Sequence, residues 1–331
     1  MINSYIKNIS FYVPEEIITN NDLSEMMDTS DEWIRTRTGI HQRHTVGKTC
    51  VGPADLAVKA SEKLFKSSDI SKDEIDFVVF ATSTPDYYVP GSGSIFQEKL
   101  GLSNIGVLDI RQGCSGFTYA LTVADQFIKS GTHKNILVVG AEVQTTQLDF
   151  DNEGRGTAIL FGDGAAVCLL SSTSEDRGIL SSHLHSDGKF INELGTEFPS
   201  SKYRDIITPD DVKNRKHHIQ MNGREVFKHA VKRFPEVIIE GLNHNNLTID
   251  DVSLVIPHQA NFRITQAVQR QLGVEESKIF SNIHKYGNTT AASIGIALSE
   301  ALEQNRIKSD DIIVLASFGA GFYWGSVIIR W

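Results

Sequence analysis

The chain has 331 residues, 40% apolar and 22% charged, with 8 prolines; this composition can bury a sizeable core and excludes disordered, collagen-like and mucin-like chains. Lys and Arg number 32 against 41 Asp and Glu, a formal charge of −9, which disfavours non-specific binding to nucleic acid or to an anionic membrane. An apolar run of ~18 residues and a secretory leader are both missing from the pattern, and three scattered cysteines, Cys50, Cys114 and Cys168, make no disulfide framework or CxxC pair, so a reducing cytoplasm is the expected setting.

Short β-branched runs alternate with amphipathic runs along the chain, the pattern of an α/β protein. In chain order the periodicities predict helix 54–66, strand 77–81, helix 94–100, strand 107–110, helix 115–129, and strands 136–141 and 165–170. They continue with helix 227–242, strand 253–256, helices 264–272 and 291–304, and strands 312–317 and 326–330. Pro235 falls inside one helix, so a kink or break is expected there.

The two halves repeat. DFVVFATS, SIFQEKLGL, VLDIRQGCSGFTYAL, NILVVGAE and GDGAAVCLLS are answered by DVSLVIPHQ, AVQRQLGV, IFSNIHKYGNTTAASIGIAL, DDIIVLASFG and GFYWGSVIIR. The division expected is 1–172 and 173–331. Duplication would put Cys114 and Asn288 at equivalent strand-to-helix turns and bring them together across a pseudo-twofold axis.

Each of three residues has a bland and a chemical reading. Cys114, between Gly113 and the helix opened by Gly116, faces unpaired N–H groups that favour thiolate; Cys168, inside a strand, reads as core. His258 follows a buried strand in PHQAN, at the carboxyl edge where α/β sites form. Asn288 in YGNTT would be an N-cap if it stood alone. A Cys, a His and an Asn at three strand ends are much less expected by chance.

These residues and their surroundings resemble the β-ketoacyl-acyl-carrier-protein synthase III family of the thiolase superfamily. The resemblance runs nearly end to end: DTSDEWIRTRTGI at 28–40, GCSGFTYAL at 113–121, GRGTAILFGDGAA at 154–166, PHQAN at 257–261, GNTTAAS at 287–293 and FGAGFYWG at 318–325. It implies duplicated thiolase-like α/β halves in a five-layered αβαβα core. It also implies a decarboxylative Claisen condensation of an acyl-CoA primer, held on Cys114, with malonyl-acyl-carrier-protein. His258 and Asn288 would stabilise the enolate, and the backbone N–H groups of Cys114 and Ala320 would form the oxyanion hole. The family usually has glycine at 320; alanine keeps the N–H.

By the same resemblance Thr29, Trp33, Arg37 and Arg155 would contact coenzyme A, which enters as a substrate thioester; no resident cofactor and no metal are expected. Val89 would plug the partner's acyl tunnel across a homodimer, leaving more room than the phenylalanine of some relatives. Lys228, Arg263 and Arg270 would dock the acidic carrier. The segment 188–218 is longer and more polar than the family pattern and should lie near the tunnel mouth.

The alternative is a related acyltransferase or a condensing enzyme of specialised metabolism with a longer acyl donor. A degradative thiolase is disfavoured because no cysteine follows Cys168. Gly319-Ala320-Gly321 leads to a strand, against a dinucleotide loop, and His183-Leu184-His185-Ser186-Asp187 reads as a strand face rather than a metal site.

Overall fold

The computed structural model describes residues 2–331. Its main strands are β1 (Asn3–Tyr12), β2 (Phe77–Ala81), β3 (Gly106–Ile110), β4 (Asn135–Glu142), β5 (Gly164–Thr173), β6 (Gly178–Ser186), β7 (Val252–Pro257), β8 (Ile312–Gly319) and β9 (Tyr323–Arg330). Its main helices are α1 (Asn20–Met26), α2 (Asp31–Thr38), α3 (Pro53–Lys66), α4 (Ser92–Leu100), α5 (Gly116–Lys129), α6 (Gly223–His244), α7 (Phe262–Leu272) and α8 (Ser293–Glu303).

One sheet has the order β1-β5-β4-β2-β3 and the other β7-β8-β9-β6. In the first, β2 runs parallel to β3 and β4, and β5 is antiparallel to both neighbours. In the second, β7 and β8 are parallel and β9 is antiparallel to both neighbours. A parallel bridge from Val255 to Ile279 stands where a fifth strand would lie. The order thus repeats, with β1, β2, β4 and β5 answered by β6, β7, β8 and β9. The recurring sequence blocks pick out all of these pairs except β1 and β6, whose half-polar outer faces blur the apolar signal.

Alternation along β2 explains the layers. Val78 and Phe80 pack outward with Leu56, Leu64 and Phe96 of α3 and α4. Val79 and Ala81 pack inward with Phe117 and Leu121 of α5 and Ile294 and Leu298 of α8. The far side of the second sheet meets Phe234 and Ile238 of α6 and Val268 of α7. Strands covered on both faces read as continuous apolar runs, and α8, wedged between the sheets, is buried from Ser293 through Ala301. The result is the expected αβαβα sandwich.

Pro235 does not break its helix: α6 runs unbroken from Gly223 to His244. Proline removes one backbone donor, and the burial of Phe234, Val237 and Ile238 against the sheet outweighs that single loss.

Candidate active site

Cys114 sits in a tight turn, Gly113–Ser115, that runs directly into α5. Gly113 takes φ +49°, a conformation that glycine adopts without a Cβ penalty. Gly319 is needed for space, since a Cβ there would lie 2.6 Å from the Cys114 Cβ. The backbone N–H groups of Cys114 and Ala320 lie near the sulfur and favour its charged form. Ala320 is absent from the residues with positive φ, whereas Gly321 has φ +139°, so alanine fits at 320 without strain.

The pull toward thiolate expected from the turn is present but outweighed. Burial, reinforced by the nearby Glu142 carboxylate, pushes the Cys114 thiol up to about 12 against the pull of the two N–H groups. The helix N-terminus is present, but desolvation is the larger effect.

His258 follows β7, its N–H bonded to the Ala316 carbonyl at 2.8 Å. Its Nδ1 lies 2.5 Å from Ser293 Oγ, while its buried Nε2 has no partner among the described residues. Burial lowers its pKa to about 3, so the ring is neutral. Ser293 Oγ also accepts from the Gln259 N–H at 3.4 Å; when its hydroxyl donates to Nδ1, the imidazole proton sits on Nε2, the tautomer that can donate into the cavity. Asn288 is buried, and its Oδ1 accepts from the Thr290 N–H at 2.9 Å. That fixes Nδ2 as the amide end free to donate. Cys114, His258 and Asn288 line one cavity of about 460 Å³.

The same cavity opens past Trp33, Arg37, Arg224 and Arg263. The motif around Trp33 is a helix written in sequence. The Ser30 Oγ caps α2 by accepting from the Trp33 N–H at 3.1 Å, acids fill the first turn, Arg35 and Arg37 the last, and Gly39 ends it in the left-handed region. The Arg37 and Arg155 guanidiniums lie 4.6 and 5.4 Å from the Trp33 ring centre, and Thr29 Oγ1 is buried with no partner among the described residues. The four residues expected at coenzyme A therefore gather at this end.

The profile described as 3-Oxoacyl-[acyl-carrier-protein (ACP)] synthase III matches residues 108–188, and that of its C terminal matches residues 242–331. The beta-ketoacyl-[acyl-carrier-protein] synthase III of Fusobacterium nucleatum is 41% identical over 326 residues, covering 98% of both chains. That of Listeria monocytogenes is 42% identical over 330 residues, covering 100% of this chain and 99% of the other. The chain belongs to the β-ketoacyl-acyl-carrier-protein synthase III family. Solved synthase III structures from Aquifex aeolicus and Thermus thermophilus superpose with TM-scores of 0.90 and 0.91, each at 37% identity over 99% of this chain and 100% and 99% of theirs. As a member of this family the chain is a condensing acyltransferase. OleA of Xanthomonas campestris, at 18% identity and a TM-score of 0.86, shares the fold.

Within this synthase fold, other expected residues are more scattered. Val89 is 79% exposed and lines neither cavity at Cys114; in a single chain it is no part of the acyl pocket. Lys228 pairs with Glu225 at 3.2 Å. Arg263 lies at the cleft mouth with its guanidinium 5.9 Å from the Phe227 ring centre, and Arg270 is exposed on the same helix. His185 bonds Glu240 at 2.7 Å and stacks on Trp324, which accounts for it on a strand face. Sequence reasoning missed Ser293, although it closes the GNTTAAS motif, and Glu142, a buried carboxylate held by Ser83, Thr84 and Gln144. Only the fold brings Glu142 near Cys114.

Proposed function

We propose that the chain condenses an acyl-CoA primer with malonyl-acyl-carrier-protein to start fatty acid synthesis. The Cys114 sulfur attacks the primer carbonyl, the oxyanion is met by the N–H groups of Cys114 and Ala320, and coenzyme A leaves as the thiol carrying the cysteine proton. Malonyl-carrier then loses carbon dioxide, and its enolate oxygen takes hydrogen bonds from His258 Nε2 and Asn288 Nδ2. The carbanion attacks the acyl-enzyme, and the cysteine leaves as thiolate and takes a proton from solvent. Both donors are neutral groups, which suits a fixed polar cradle better than proton shuttling.

The observation that carries this reading is the single cavity lined by Cys114 and Asn288 together with His258, whose Nε2 is buried and without a partner among the described residues. In the same reading Thr29, Trp33, Arg37 and Arg155 hold coenzyme A, and Lys228, Arg263 and Arg270 meet the carrier. The halves divide at 172/173, and the enzyme works in the cytoplasm as a homodimer. Tyr87, Tyr88 and Val89, exposed together, are the apolar tip that a second copy would cover, with Val89 entering that copy's acyl tunnel. Intact-protein mass after incubation with acetyl-, butyryl-, hexanoyl- and octanoyl-CoA tests the acyl-enzyme, and carbon dioxide release from malonyl-carrier tests the condensation. An acylated enzyme that releases no carbon dioxide would favour a plain acyltransferase.

A further inference from the structure

Cys114 opens on a second cavity, of about 530 Å³, that is separate from the Trp33 cleft and shares with it only Cys114, Phe161 and Leu194. We propose that this cavity selects primers whose acyl chain carries a neutral hydroxyl group, in preference to plain aliphatic chains of the same length. The proposal rests on the acyl-enzyme reading of Cys114 and adds the substrate class to it.

Three polar atoms carry the argument. Gln144 Oε1, Thr290 Oγ1 and His217 Nδ1 are buried, belong to residues lining this cavity, and have no hydrogen-bond partner among the described residues. Gln144 and Thr290 are only 2% and 4% exposed. The Gln144 amide is held in one orientation: Nε2 donates to Ser83 Oγ at 3.0 Å and to the Glu142 carboxylate at 3.3 Å, so the carbonyl oxygen is the end left over. An amide oxygen can only accept, so its complement is a donor. Thr290, a β-branched residue, is held at φ +49°, a costly conformation of the kind found at ligand sites.

The long segment 188–218 supplies the roof. Thr196, Phe198 and His217 line the cavity from it. Arg215 clamps it to the body through Asp149, Asp151 and Glu153. His217 is kept toward its neutral form by burial and by His218. Arg111 and Asp86 are the charged residues of the lining, and their formal charges cancel, so a carboxylate gains no net attraction. A hydroxyl can donate to Gln144 Oε1 and accept from Thr290 Oγ1, and it can pair with His217 Nδ1 in either tautomer because it both donates and accepts. An aliphatic chain of equal length offers these atoms no partner, and sites built to bond a hydroxyl discriminate strongly against analogues lacking it.

The experiment is a competition for Cys114 between matched thioesters, butyryl- against 3-hydroxybutyryl-CoA and pentanoyl- against 5-hydroxypentanoyl-CoA, with succinyl-CoA as the anionic control. Acyl-enzyme is read by intact mass. At least one hydroxylated primer should win over its partner by ~10-fold or more, and Gln144→Leu or His217→Phe should collapse that ratio toward one. A ratio at or below one for both pairs in the unmodified enzyme would overturn the proposal, as would preference for succinyl. The ratio is internal to each protein, so a variant that folds poorly leaves the wild-type result decisive. Acyl mass appearing on Cys114 with no hydroxyl preference would overturn the substrate class alone, whereas no mass from any thioester would overturn the acyl-enzyme as well.

Discussion

The two halves build the same turn and use it differently. In the first, Gly113–Ser115 leads into α5; in the second, Thr290–Ala292 leads into α8; each turn begins with φ +49°. The turns pack against each other at the centre of the molecule. On this match the counterpart of Cys114 is Ala291, and Asn288 lies three residues earlier, which refines the expected equivalence of Cys114 with Asn288. One half therefore places a nucleophile inside the turn, where backbone N–H groups lie near it. The other places a side-chain amide just before the turn, with its own oxygen tied to Thr290. The repeated backbone provides the position, and in the proposed reaction the side chains divide the work into covalent capture and enolate stabilisation.

The largest test of that division is Cys114→Ser, which should abolish acyl-enzyme formation by intact mass; an acyl group found on a Cys50 or Cys168 peptide would contradict it. Next come Asn288→Ala and His258→Ala. Each should still acquire some acyl group but lose carbon dioxide release by on the order of 10²–10³, as for a lost oxyanion donor. Wild-type condensation in Asn288→Ala would remove the second half from the chemistry. Ser293→Ala frees the His258 ring, and condensation should fall ~5–10-fold with acylation less affected, the worth of about one hydrogen bond; equal losses in both steps would mean general damage.

Titration sharpens the contrast, because the two halves shift in opposite directions. The Cys114 pKa is raised from 9.0 to about 12 and that of His258 lowered from 6.5 to about 3. The stability that the Cys114 proton contributes is complete below pH 9 and is lost as pH climbs toward 12. That of neutral His258 is complete above pH 6.5 and is lost as pH falls toward 3. Iodoacetamide inactivation, absent in a Cys114→Ser control, should therefore keep rising with pH through 9 to 11; a plateau near neutrality would show a resting thiolate. The smallest expected effect is at the rim: Arg263→Glu should raise the KM for malonyl-carrier a few-fold, with less change for acyl-CoA and with salt weakening the difference. An insensitive KM would remove Arg263 from docking.

Local patterns were enough for much of this. Alternation and apolar runs located β2 through β5 and β7 through β9; apart from β3, an edge strand with exposed and half-buried residues, these are covered on both faces and leave little polar interruption. The Gly113 turn was legible because turns depend on a few adjacent residues, whereas α2 was not among the predicted elements although its Ser30 cap and Gly39 stop are equally local. The same local logic failed at Pro235, where packing of the flanking helix faces overrode a backbone preference.

What the sequence by itself indicated was the α/β class, the internal repeat, and Cys114, His258 and Asn288 as candidates; the strand expected to end at Asn288 is instead a single helical turn, Ile283–Tyr286. Tertiary structure alone decided how they behave. Whether Cys114 rests as thiol or thiolate depends on how much water the folded chain removes from around the sulfur and on a carboxylate 28 residues away in sequence, Glu142. The polar roof over the second cavity depends likewise on where segment 188–218 comes to rest. Desolvation and the partners left unmade are properties of the packed interior, and no window of adjacent residues contains them.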